Sequence, residues 1–161
     1  MRRALVLTVS DGVSAGARED ASGREVGDRL TALGFVVSHA LTNDDLPAIR
    51  AALTDGAAAN DLVISTGGTG LTPRDVTPQA TLGVIDYEVP GMAEAMRATG
   101  RAITPLADLS RGVVGVIGRA LVVNLPGSPK GAMESLAAIE PVLEHALETL
   151  AGPFDHAGAP P

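Results

Sequence analysis

Three apolar runs rich in β-branched residues each break off into small, hydrogen-bonding residues, and this repeated junction constrains the fold most. "ALVLTV" (residues 4–9) opens into Ser10, Asp11 and Gly12. "DLVIST" (61–66) opens into Gly67, Gly68, Thr69 and Gly70, and "ALVVNL" (120–125) into Pro126, Gly127 and Ser128. Continuous apolar runs of this length read as strands buried on both faces, as in parallel sheets. Helical patterns lie between them: Val26, Leu30 and Leu33 ahead of Gly34, and Leu46, Ile49 and Leu53 after "TNDD". With "FVVSHAL" (35–41) as the second strand, the alternation implies right-handed βαβ crossovers and an α/β fold with a mostly parallel sheet. In such sheets ligands bind where strand carboxyl ends meet loops and helix starts, so the junctions mark the candidate site.

The remaining segments are less regular. Residues 10–23 read as a loop rich in Ser, Gly and Asp. Residues 77–89 and 90–100 read as two short helices, 104–112 as a helical turn, and 113–127 as two strands about Gly118–Arg119. Residues 128–150 carry the longest helical pattern, which Pro141 is expected to kink or split. One domain is expected over residues 1–152, with a frayed tail over 153–161.

Composition narrows the function. A net charge of −7 argues against nucleic acid, which asks for a basic face. An acidic chain can still bind a phosphorylated ligand through backbone donors and a few cations. The absence of cysteine excludes disulfides, thiolate metal sites and cysteine nucleophiles, and fits a cytoplasmic protein. No apolar run is long enough to span a bilayer, and "MRRALVLTVSDG" reads as a first strand rather than a secretory leader.

The residues that could carry chemistry cluster at the junctions. "GGTG" (67–70) matches neither G-x-G-x-x-G nor the P-loop, and alone it is either a tight turn or a phosphate cradle. Arg74 and Asp75 follow, then Thr77 and Pro78, types suited to the N-cap and first position of a helix whose free N–H groups would favour an anion. "NLPGSPK" (124–130) is either a stiff connection or a loop offering the Gly127 N–H and Ser128 hydroxyl to a phosphate, with Lys130 nearby. Asp44 and Asp45 suit helix capping and Asp11 an Asx-turn. Alternatively, Asp11, Asp44, Asp45 and Asp75 supply hard oxygen ligands for Mg²⁺ or position a phosphoryl group. Glu88 is a surface acid or an acceptor for ligand hydroxyls. His39, His145 and His156 are scattered, without metal-ligand spacing. G-x-S-x-G is absent, so Ser110 reads as a binding hydroxyl or helix-end residue rather than a nucleophile.

Taken in order, "STGGTGLTPRDVTPQAT", "VPGMAEAMR", "LSRGVVGV" and "VNLPGSPKG" resemble the motifs of the MogA/MoaB family of molybdenum cofactor biosynthesis proteins, across nearly the whole chain. The resemblance implies a three-layer α/β/α sandwich, commonly a cytoplasmic homotrimer. It implies molybdopterin adenylyltransferase activity: transfer of AMP from ATP to the terminal phosphate of molybdopterin, with release of pyrophosphate and the help of Mg²⁺. Hand-over to a molybdenum insertase would follow. Carried over by motif position, Asp75 and Asp44 are the catalytic carboxylates and metal ligands, with Asp45 competing for the second role. Ser10, Asp11, Gly67, Gly68, Thr69, Gly70, Glu88, Gly91, Met92, Ser110, Arg111, Pro126, Gly127, Ser128 and Lys130 complete the substrate and nucleotide pocket. Two departures stand out. Gly12 occupies a position where the family often carries Arg, and "TNDD" replaces a proline-led acidic pair. They leave room for a non-catalytic molybdopterin-binding or scaffold protein of the same fold.

Overall fold

Alternate residues of β1 (Arg3–Val9) feed two separate cores, and this sets the layering. Ala4 and Val6 pack with Val26 and Leu30 of α2 (Ala21–Ala32), Met92 and Met96 of α5 (Pro90–Arg101), and Leu136, Ile139, Leu143 and Leu147 of α6 (Pro129–Ala151). Leu5, Leu7 and Val9 point the other way, onto Ile49 and Leu53 of α3 (Leu46–Ala59) and Ala80 of α4 (Thr77–Leu82). The period-2 alternation of a strand buried on both faces thus produces an α/β/α sandwich. The coordinates are a computed structural model, and the structure describes residues 1–153. The tail expected over 153–161 lies, apart from Pro153, outside the described residues.

The sheet has the order β2-β1-β3-β6-β5-β4. β1 pairs in parallel with β2 (Val36–Thr42) and β3 (Leu62–Thr66), and β3 pairs in parallel with β6 (Ala120–Leu125). Val6 stands opposite Ile64, and Ile64 opposite Val123. β5 (Val114–Ile117) turns back on β6 as a hairpin through Gly118, whose φ of 59° suits a tight turn. A short antiparallel strand, β4 (Tyr87–Glu88), closes the far edge. No helix among the described residues is long and apolar enough to cross a membrane.

Several elements differ from expectation. The helix expected over 77–89 stops at Leu82, and its last residues form β4 instead, because the Asp86 and Val89 N–H groups pair with Val116 and Val114 carbonyls. The loop expected over 10–23 contains one helical turn, α1 (Asp11–Ser14), and α2 begins at Ala21, capped by Asp20, whose carboxylate accepts from the Gly23 N–H at 2.9 Å. Pro141 does not split the last helix. It sits on the exposed face, as does Ala137, whose carbonyl loses its partner to the proline ring and is left to water. Leu136, Ile139, Leu143 and Leu147 hold the helix to the sheet on either side of that gap.

Candidate functional site

β1, β3 and β6 are neighbours, so their carboxyl ends place three exit loops side by side. Glycine lets them touch. Gly67 and Gly68 have φ of 98° and 69°, in the left-handed region that L-residues avoid. A Cβ on Gly67 would collide with the Val9 carbonyl oxygen, and one on Gly127 would lie 3.2 Å from the Gly67 Cα. The Thr77 hydroxyl donates to the Gly67 carbonyl at 2.9 Å and its N–H to the Gly68 carbonyl at 3.2 Å, which pins the loop. Thr77 is therefore the first residue of α4, turned inward, and Val76 is the N-cap in place of the expected Thr77.

These loops enclose a cleft of about 480 Å³. Of the residues carried over by motif, Ser10, Asp44, Gly67, Gly68, Asp75, Gly127 and Ser128 line it, together with Thr8, Arg18, Asp20 and Thr66, which the sequence did not single out. The two competing acids separate cleanly. Asp45 caps α3, accepting from the Ala48 N–H at 3.0 Å, and Asp44 faces the cleft. The Asp44 N–H donates to Asp11 Oδ1 and the Asp11 N–H to Asp44 Oδ2, both at 2.9 Å. Arg74 closes on Asp11 Oδ2 at 2.5 Å, which assigns it to a carboxylate partner. The Asp44 N–H, and after it the Arg74 guanidinium, hold the Asp11 carboxyl below the usual aspartate range. Asp75 Oδ2 accepts from the Thr72 N–H at 2.9 Å and the Thr72 hydroxyl at 2.7 Å, folding residues 72–75 into a turn that presents the acid at the cleft.

A second cavity, of about 220 Å³, lies between α5, the 3₁₀ turn Pro105–Leu109 and α6. Met96, Leu106 and Ala107 give it an apolar wall, and Ser110, Asn124 and Pro126 contribute polar atoms and a rigid edge. Ser128 lines both cavities, so they adjoin at the β6 exit.

A family model described as "Probable molybdopterin binding domain" matches residues 5–145. The molybdopterin adenylyltransferase of Helicobacter pylori J99 is 34% identical over 154 residues, covering 92% of this chain and 88% of the relative. The crystal structure of the molybdopterin biosynthesis enzyme MoaB from Thermus thermophilus superposes with a TM-score of 0.87 at 48% identity, covering 96% of this chain and all of that one. The chain belongs to the MogA/MoaB family of molybdenum cofactor biosynthesis proteins. It is also 40% identical to a molybdenum cofactor biosynthesis bifunctional protein of Synechococcus elongatus, about half of whose length it spans.

Not every residue carried over from the MogA/MoaB motifs reaches the cleft. Arg111 grips the loop instead: Nε donates to the Gly70 carbonyl at 2.9 Å, Nη2 to the Asp75 carbonyl at 2.7 Å, and Nη1 to Gln79 Oε1 at 3.2 Å. Thr69 is buried, its carbonyl accepting from the Arg111 N–H. Lys130 points outward, its side chain 78% exposed and 3.8 Å from Glu134. Glu88 is exposed on the edge strand, Gly91 is exposed at the start of α5, and Met92 belongs to the core. The Ser128 hydroxyl accepts from the Gly131 N–H at 3.2 Å as the N-cap of α6, which leaves its proton for another acceptor. The histidines stay outside: His39 packs against Gly27, His145 lies 3.9 Å from Glu148, and His156 is outside the described residues.

Proposed function

We propose that this protein is a molybdopterin adenylyltransferase, with the larger cleft taking the ATP phosphates and the adjoining cavity the pterin end of molybdopterin. The observation that carries this reading is the meeting of Asp44, Asp75 and the glycine exits of β3 and β6 in one cleft. A terminal phosphate oxygen of molybdopterin bonds to the α-phosphorus of ATP, the α–β anhydride bond breaks, and pyrophosphate leaves with the electron pair. Such a transfer needs positioning and charge neutralisation rather than a protein nucleophile. The Gly67 N–H is held by the Leu125 carbonyl, but the N–H of Gly68, also at positive φ, suits a phosphate oxygen, and the 220 Å³ cavity offers a largely apolar wall to a ring.

Among the described residues no three His, Asp or Glu side chains gather closely enough to hold a metal ion alone. Mg²⁺ commonly binds one or two carboxylates together with substrate phosphates, and the hard oxygens of Asp44 and Asp75 fit that pattern. Mg²⁺ would neutralise the reacting phosphates there. A homotrimer working in the cytoplasm, with hand-over of the adenylylated product to a molybdenum insertase, completes the reading.

The test supplies molybdopterin and MgATP to the purified protein and measures pyrophosphate and adenylylated product. Stoichiometric binding of molybdopterin with no pyrophosphate released would sink the enzyme and favour the non-catalytic binder.

A further inference from the structure

An acidic cleft that takes a polyphosphate needs a cation. Of the residues lining the larger cleft, Asp44, Asp75, Asp20 and Glu19 are acids and Arg18 is the one lysine or arginine. The cations that the motifs bring to the neighbourhood are committed elsewhere. Arg74 is held by Asp11, Arg111 by the Gly70 and Asp75 carbonyls and Gln79, Arg97 lines the smaller cavity and donates to the Gly112 carbonyl at 3.1 Å, and Lys130 lies by Glu134 at the surface. Glu19, next to Arg18 in sequence, faces Arg24 at 3.9 Å. Arg18 makes no ion pair among the described residues, and its single side-chain hydrogen bond is a long one, Nη2 to Ser10 Oγ at 3.4 Å. Four of its five N–H donors are therefore available to a ligand.

Its placement depends on the residue beneath it. The guanidinium lies over Gly12, where a Cβ would stand 2.8 Å from Nε and 3.0 Å from Nη2. Gly12 has no such atom, so the planar group rests on the first turn of α1 at the rim of the cleft. We propose that Arg18, seated on Gly12, is the cation that grips the polyphosphate of the nucleotide. This rests on the reading of the larger cleft as the ATP site. An arginine fork suits phosphate oxygens, and among the described residues Arg18 holds no carboxylate that would compete with them. Gly12 thereby has a positive use in the cleft.

Calorimetry with MgATP, AMP and molybdopterin titrated separately tests this on the wild type, Arg18→Gln, Arg18→Lys and Gly12→Ala. Arg18→Gln is expected to weaken MgATP binding on the order of ten- to a hundredfold, as loss of a charge-assisted contact implies. The loss for AMP should be much smaller, and molybdopterin binding should stay within about twofold by the same reasoning. Arg18→Lys should recover part of the loss. Gly12→Ala, which moves the guanidinium without removing it, should fall between wild type and Arg18→Gln. Equal MgATP affinity in wild type and Arg18→Gln would overturn the role of Arg18 and leave the functional reading standing. A wild type that binds molybdopterin and no MgATP would overturn the functional reading and this inference with it.

Discussion

Asp11 and Asp44 hold each other by the backbone: each carboxylate accepts the other's N–H at 2.9 Å. The exchange ties the β1 exit to the loop ahead of α3, and it fixes Asp44 at the cleft while Asp45 serves the helix. Arg74 reaches across from the β3 exit to Asp11, so three loops meet on one carboxylate.

That arrangement predicts a pH dependence. Both partners of Asp11 favour its charged form, so its folded value lies below the ordinary 3.8. The stability it contributes is present in full above the unfolded value and is lost as pH falls through the depressed folded value. Thermal unfolding of wild type and Asp11→Asn should differ by a constant amount from neutrality down to about pH 5, then converge below about pH 4. A gap that stays constant into strong acid would show that Asp11 titrates normally in the folded protein.

Asp75→Asn should abolish most turnover and spare the fold. An amide oxygen can still accept from the Thr72 N–H and hydroxyl, so the turn over residues 72–75 persists while the charge is gone. Pyrophosphate release should drop by about a hundredfold or more, the scale on which charge organisation at a reacting group acts, with pterin binding unchanged. Wild-type rates from a well-folded variant would make Asp75 a structural residue.

Arg111 was expected to touch ligand and instead holds the carbonyls of Gly70 and Asp75. A positioning residue of this kind affects the rate more than ground-state affinity. Arg111→Lys, which lacks the planar fork, should lower kcat about tenfold with little change in KM for molybdopterin and should barely outperform Arg111→Gln. The opposite split, a raised KM with kcat preserved, would return Arg111 to the ligand.

What the sequence disclosed, and what it hid, follows from distance along the chain. The exits at Gly67 and Gly127 were legible because a β-branched run ending in glycine is a local signal. The paired roles of Asp44 and Asp45 were not, because both suit a helix cap and the clasp that draws Asp44 to the cleft comes from Asp11, 33 residues away. Arg18 and Asp20 sit in a stretch that reads as loop, and their place at the cleft arises from α1 and the start of α2 folding over the β1 exit. Glu88 and Lys130 were carried over by motif, and no local pattern says which way a side chain at a sheet edge or a helix start will face. Pro141 shows the limit of a propensity rule: an interior proline costs about 3 kcal/mol, and the burial of Leu136, Ile139, Leu143 and Leu147 on either side of it holds the helix together nonetheless.

Asn124 lies in the core beside the smaller cavity and should be the most costly polar residue to remove. It is 1% exposed, and its amide donates to the hydroxyls of Ser65 and Thr81, both at 2.9 Å, while its oxygen accepts from the Val113 N–H at 3.1 Å. It therefore ties β6 to β3, to α4 and to the segment leading into β5. Asn124→Ala leaves the buried Val113 N–H without an acceptor and opens a void beside the 220 Å³ cavity. Together these should cost about 2–4 kcal/mol in urea unfolding. Ser65→Ala removes one acceptor of the same network and should cost only about 1 kcal/mol. Equal effects from the two variants would mean that the hydroxyl contacts, rather than the Val113 bond and the packing, carry the contribution of Asn124.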